Sequence, residues 1–80
     1  MTREEIRLSL KDVFREVFDG LEIIPADELT AKQVEGWNSV SHIDLICAVE
    51  EKFSFNFSTS EIARLQNVGE LITVIEKKTA

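Results

Sequence analysis

Three chemically capable residues crowd one short stretch, GWNSVSHIDL over residues 36–45: Ser39, His42 and Asp44. They are the groups of a serine hydrolase, in which a hydroxyl attacks, an imidazole takes its proton and an acid orients the imidazole. Spacing tests the idea. On a helix, residues three apart are neighbours and residues two apart are not. Ser39 therefore lies beside His42, but Asp44 points away from the imidazole. No G-x-S-x-G elbow surrounds the serine. A chain of 80 residues also leaves little room for a substrate cleft. The trio fails the geometric test of a catalytic centre.

Other chemistries fail sooner. One His and one Cys do not close a metal site, and no Gly-rich phosphate loop occurs. What remains is Ser39 as an anchor. Asn38 is a good N-cap, because its side-chain oxygen accepts from a free backbone N–H. Ser39 is then the first residue of a helix. A phosphate esterified to its hydroxyl would meet free N–H groups and the positive end of the helix dipole. On the residues alone, an ordinary first-turn serine explains the position as well.

The elements that must position this stretch are helical. Thr2 with Glu5 makes a capping box, and Ile6, Leu10, Val13, Phe14, Val17 and Phe18 follow at helical spacing. This predicts a helix over 3–18, ended by Gly20. Residues 19–37 lack periodicity and carry Gly20, Pro25 and Gly36. So long a loop is expected to be functional or partly ordered. Ile23, Ile24, Leu29, Val34 and Trp37 are its candidate core pins, and Asp27, Glu28 and Leu29 its candidate turn. The second helix runs from Ser39 through Phe53 and is apolar around more than one face, so Val40 and Cys47 are left to meet something other than the core. Phe55 and Phe57 alternate like a strand, but no partner strand exists. Ser58 with Glu61 opens a short helix to about Leu65. Asn67 with Glu70 is read as a third capping box, opening a helix that carries Val68, Leu71, Ile72 and Ile75 and ends at Lys77 and Lys78. The fold class is all-α: a four-helix bundle of three longer helices and one short one, with a long first loop.

Composition bounds the rest. One domain over residues 1–80 is expected, with an apolar fraction of 44% to fill its core. The net charge of −6 disfavours phosphate backbones and anionic membranes, so nucleic acid is excluded as a partner. Cys47 is the one cysteine, so no disulfide framework exists and a cytoplasmic setting fits. The charged N-terminus lacks a signal-peptide apolar stretch. The longest apolar run, Leu45 to Val49, is too short for membrane insertion.

The segment WNSVSHIDLICAVEEKF resembles the acyl carrier protein family. Ser39, Val40, Ile43, Asp44, Leu45, Glu50, Glu51 and Phe53 stand in the register of the family's Asp-Ser-Leu motif and second helix. The likeness continues through FSTSEIARLQNVGELITVI. It implies that Ser39 carries 4′-phosphopantetheine through a phosphodiester, with Asn38 and His42 beside it. It implies acyl groups held as thioesters and delivered to partner enzymes of fatty acid, polyketide or related lipid synthesis. The chain would be a carrier and a monomer, not an enzyme. Its partners would be a phosphopantetheinyl transferase and acyl-transferring and acyl-modifying enzymes. Val40, Ile43, Asp44, Cys47, Glu50 and Glu51 become the candidate partner face. Leu45, Val49, Ile62, Leu65, Leu71 and Val74 become the candidate acyl pocket, expected to be filled at rest.

Two departures mark a specialised carrier. Asn38 stands where the family has an acid, which keeps the cap and loses a charge, and Ser41 stands at a second usually acidic position. Several residues keep a plainer reading. His42 is either a phosphate contact or a solvated surface histidine. Cys47 is either a partner contact or a small apolar filler. Trp37 either packs the loop or shields the arm. Asp44, Glu50 and Glu51 are either recognition charges or solvation. Two alternatives to an acyl carrier stand: an unmodified helical interaction module of the same fold, and an aminoacyl or peptidyl carrier. The acidic balance and the lack of Gly-Gly before the serine speak against the latter.

Overall fold

Helix α1 spans Arg3–Val17 in the computed structural model, which describes residues 1–20, 23 and 25–79. Its capping box is formed as read: the Glu5 N–H donates to the Thr2 hydroxyl at 3.2 Å, and the Thr2 N–H donates to the Glu5 carboxylate at 2.8 Å. The helix stops one residue short of the expected end. The Phe18 N–H still reaches Phe14 O, but Asp19 and Gly20 take positive φ and turn the chain away.

Helix α2 spans Ser39–Phe53. It ends at Ser54, whose left-handed backbone (φ 59°) is a conformation that glycine adopts with less strain. Helix α3, Thr59–Ala63, opens on the Ser58–Glu61 box. Helix α4, Val68–Lys78, has half a box where a full one was expected. Asn67 accepts from the Glu70 N–H at 2.9 Å, but the Glu70 carboxylate accepts from Gln66 N–H instead, one residue earlier. Phe55 and Phe57 pair edge to face at 4.9 Å between ring centroids and belong to no strand.

The first loop is ordered around a 3₁₀ turn, Ala31–Gln33, that the pattern did not announce. Ile23, Val34 and Pro25 are buried, while Leu29 and Trp37 pack against the core. Ile24, the remaining candidate pin, lies outside the described residues. Backbone bonds tie the loop to α4: Val68 N–H to Leu29 O at 3.0 Å and Gly69 N–H to Asp27 O at 2.8 Å. Arg7 of α1 holds it from the other side, donating to Pro25 O and to the Asp27 carboxylate.

One core results. Ile6, Leu10, Val13 and Phe14 of α1 meet Leu45, Ile46 and Val49 of α2 and Val68, Leu71, Ile72 and Ile75 of α4, all under about a tenth exposed. The all-α bundle with three longer helices, one short one and a long first loop is the expected class. No helix among the described residues is long and apolar enough to cross a membrane.

Candidate functional site

The two serines at the start of α2 are chemically unlike. Ser41 is committed: its hydroxyl accepts from the Asn38 N–H at 2.8 Å and donates to Gly36 O at 2.7 Å. Gly36 takes φ +87°, a left-handed conformation suited to glycine, and the resulting turn presents that carbonyl. Asn38 completes the cap, accepting from the Val40 and Ser41 N–H groups at 3.0 and 3.1 Å. Ser41, read as a lost acid, is thus the second half of a capping box. Ser39 is exposed, and its hydroxyl makes no hydrogen bond among the described residues.

Trp37 sets the other wall. Its ring lies 5.6 Å from Phe14 and 5.9 Å from Phe18, centroid to centroid, and stacks on His42 at 6.1 Å. Its Nε1–H donates to His42 Nδ1 at 3.1 Å. A neutral imidazole accepting at Nδ1 carries its proton on Nε2. His42 is therefore half-buried and partnered rather than a solvated surface histidine. The hint in the sequence was an aromatic N–H donor placed just before a helix whose fourth residue is His.

Asn38, Ser39 and His42, the three residues proposed to surround an attached phosphate, line one open depression together with Ala31 and Trp37. Among the described residues no base serves the Ser39 hydroxyl there. His42 Nδ1 is taken by the indole, and Asp44 makes no bond to the ring. The hydrolase trio is not assembled.

A small cavity of about 40 Å³ lies beneath, lined in part by Leu45, Ile46, Leu65 and Leu71. Three of the six expected pocket residues are there. Val49 is wholly buried in the core and does not reach the cavity. Ile62 is half-buried beside the core and also stays outside it. Val74 lies off the α4 core face set by Leu71, Ile72 and Ile75, and lines an open groove with Ala63 and Lys77. Ile46, Ala31, Gln66 and Asn67 line the cavity without having been foreseen. The last three come from the 3₁₀ turn and the α3–α4 connection, where periodicity gives no signal.

Along α2, Val40 and Ile43 are 72% and 64% exposed. Cys47 is exposed too, which removes the filler reading. With Asp44 and Glu51, also exposed, these residues form an outward face. Glu50 departs from that group. Its carboxylate accepts from the Phe57 N–H at 2.7 Å and fastens the α2–α3 connection.

No protein-family model and no curated protein matches the chain. Among solved structures, the solution NMR structure of a holo acyl carrier protein from Geobacter metallireducens is similar to it with a TM-score of 0.82 and 36% sequence identity, covering 88% of this chain and 80% of that one.

Proposed function

The chain belongs to the acyl carrier protein family, and on that premise we propose that Ser39 carries 4′-phosphopantetheine and that the protein holds acyl groups for enzymes of fatty acid, polyketide or related lipid synthesis. The observation that carries this reading is the uncommitted hydroxyl of Ser39 beside a serine, Ser41, that is locked into the cap.

The residues fit the arm. Ser39 is the first residue of a 15-residue helix, so its phosphodiester would lie at the positive end of the dipole. The adjoining depression leaves room for the linkage, and the Nε2–H of His42 is a free donor on its wall. Asn38 keeps α2 capped without a charge that would repel the phosphate. The arm, when attached, supplies a terminal thiol on which acyl groups ride as thioesters.

This chain's own residues present, orient and shelter. Among the described residues no base stands by Ser39, so its proton is taken by a separate transferase, with the nucleotide half of coenzyme A leaving. The exposed Val40, Ile43, Asp44, Cys47 and Glu51 are the docking face for that enzyme and for acyl-handling ones. Leu45, Leu65 and Leu71 are the inner wall for cargo.

The test is intact mass after incubation with coenzyme A, magnesium and a phosphopantetheinyl transferase. The expected gain is one phosphopantetheinyl group in the wild type and in Ser41→Ala, and none in Ser39→Ala. No gain in the wild type with several transferases would leave an unmodified interaction module of the same fold.

A further inference from the structure

Two spaces meet at one wall. The open depression beside Ser39 and the inner cavity are both lined by Ala31, Trp37 and His42. At about 40 Å³ the cavity holds only a few heavy atoms, since about 10–15 Å³ of such space takes one water. A chain of several methylenes entering it must displace something. Leu45 and Leu71 are 1% and 3% exposed and belong to the close-packed core, so moving them loosens the whole bundle. The wall is different. His42 is half-buried, and among the described residues its ring is tied by one side-chain hydrogen bond and a stack, both to Trp37. Trp37 itself is fixed by Phe14 and Phe18. A rotation of the His42 side chain would break that bond and that stack and leave Trp37 in place.

We propose that the Trp37–His42 pair is the gate between the tether site and the inner cavity, and that it sets which cargo is sheltered. An acyl group of about two carbons stays in the outer depression and leaves the pair closed. A longer chain stays on the outer face until the indole–imidazole bond breaks. The inference rests on the carrier reading of Ser39, and its test separates the two.

Trp37 is the single tryptophan of the chain, so its indole Nε1–H gives one unambiguous NMR signal. Holo protein, verified by mass, is loaded with acetyl, butyryl, hexanoyl and octanoyl groups. In the wild type the indole signal is expected to stay in place for acetyl and to move from hexanoyl onward. In His42→Ala the signal no longer responds to chain length. The hexanoyl thioester then resists hydroxylamine about fivefold longer than in the wild type, the shift that one net hydrogen bond produces in an equilibrium. His42→Gln, whose amide oxygen accepts the indole N–H, restores wild-type behaviour and shows that the bond, not the ring alone, is at issue. Protection of a long chain with an unmoved indole signal overturns the gate, as does an Ala variant indistinguishable from wild type. If Ser39 accepts no arm, the carrier reading fails by mass alone. The gate is then read in the unmodified protein: benzene is expected to enter His42→Ala and not the wild type, and equal uptake by both, or uptake by neither, overturns it.

Discussion

The Gly69 N–H donates to Asp27 O at 2.8 Å, and a Cβ on Gly69 would lie 3.1 Å from that oxygen and 3.2 Å from Asp27 Cβ. The first turn of a helix has N–H groups with no partner inside the helix. In α4 two of them, from Val68 and Gly69, are satisfied by the backbone of the long first loop. The Asp27 side chain meanwhile is held by Arg7 at 2.6 Å and by Arg3 at 3.6 Å, both from α1. The loop is thus clamped between α1 and α4, and its far end delivers Trp37 and Asn38 to the start of α2.

Gly69→Ala tests the clamp. Alanine usually stabilises a helix relative to glycine by up to about 1 kcal/mol. Here the added methyl presses on backbone that cannot retreat without losing its own hydrogen bond and those to Arg7. Overpacking of this kind costs about 1–3 kcal/mol. The expected net result is a loss of about 1 kcal/mol, read as a melting temperature lower by about 4–8 °C for a domain of this size. An unchanged or higher melting temperature would show that the loop is free to shift.

The same clamp predicts an acid response. Hydrogen bonding to Arg7, with the nearby charges of Arg7 and Arg3, holds the Asp27 carboxyl below its ordinary value. A group depressed in the folded state contributes stability that is full above its unfolded pKa, about 4, and is lost as pH falls through the lower folded value. Glu5 and Glu61 are depressed in the same sense, by their capping bonds to Thr2 and Ser58. Wild-type stability should therefore fall below about pH 4, and Asp27→Asn should flatten part of that fall. Chemical denaturation at pH 3 and pH 6 checks it. Equal pH slopes in the two proteins would remove Asp27 as a contributor.

Much of this was legible because the signals are local. The boxes at Thr2 and Ser58, the cap at Asn38 and the helical period of the apolar residues each depend on neighbours within one turn. The all-α bundle follows from them. The cavity was half legible. Leu45 and Leu71 sit on helix faces that periodicity tracks and Leu65 lies just past the end of α3, while Ala31 and Gln66 come from irregular backbone whose placement is decided by tertiary contacts. Glu50 and Glu51 look alike in sequence, and only the return of Phe57 under α2 distinguishes them. The Trp37–His42 bond likewise joins a loop residue to a helix residue across the cap, where no period applies.

That distinction between the two glutamates is measurable. Glu50→Ala leaves the half-buried Phe57 N–H without its acceptor, which should cost about 1–3 kcal/mol. Glu50→Gln keeps an acceptor oxygen and should recover most of the loss. Glu51→Ala, at an exposed position, should stay within about 0.5 kcal/mol of wild type. Urea denaturation of the three variants decides it. A large loss for Glu51→Ala, or none for Glu50→Ala, would reverse the assignment.

Asn38→Asp probes what the missing charge does. Asp caps a helix as well as Asn does, so the two N–H groups of Val40 and Ser41 keep their acceptor. A negative charge at a helix start adds about 0.3–1 kcal/mol at low ionic strength and less in salt. The unmodified Asp variant should therefore melt slightly higher than wild type, with the difference shrinking as salt rises. If Ser39 carries the proposed phosphodiester, a second negative charge sits one residue from position 38, and the gain should be smaller than in the unmodified protein. Parallel melts of unmodified and holo forms at low and high salt give the comparison. A gain of equal size in both forms would mean that the phosphate does not share the dipole end with residue 38, and would move the arm's linkage away from the start of α2.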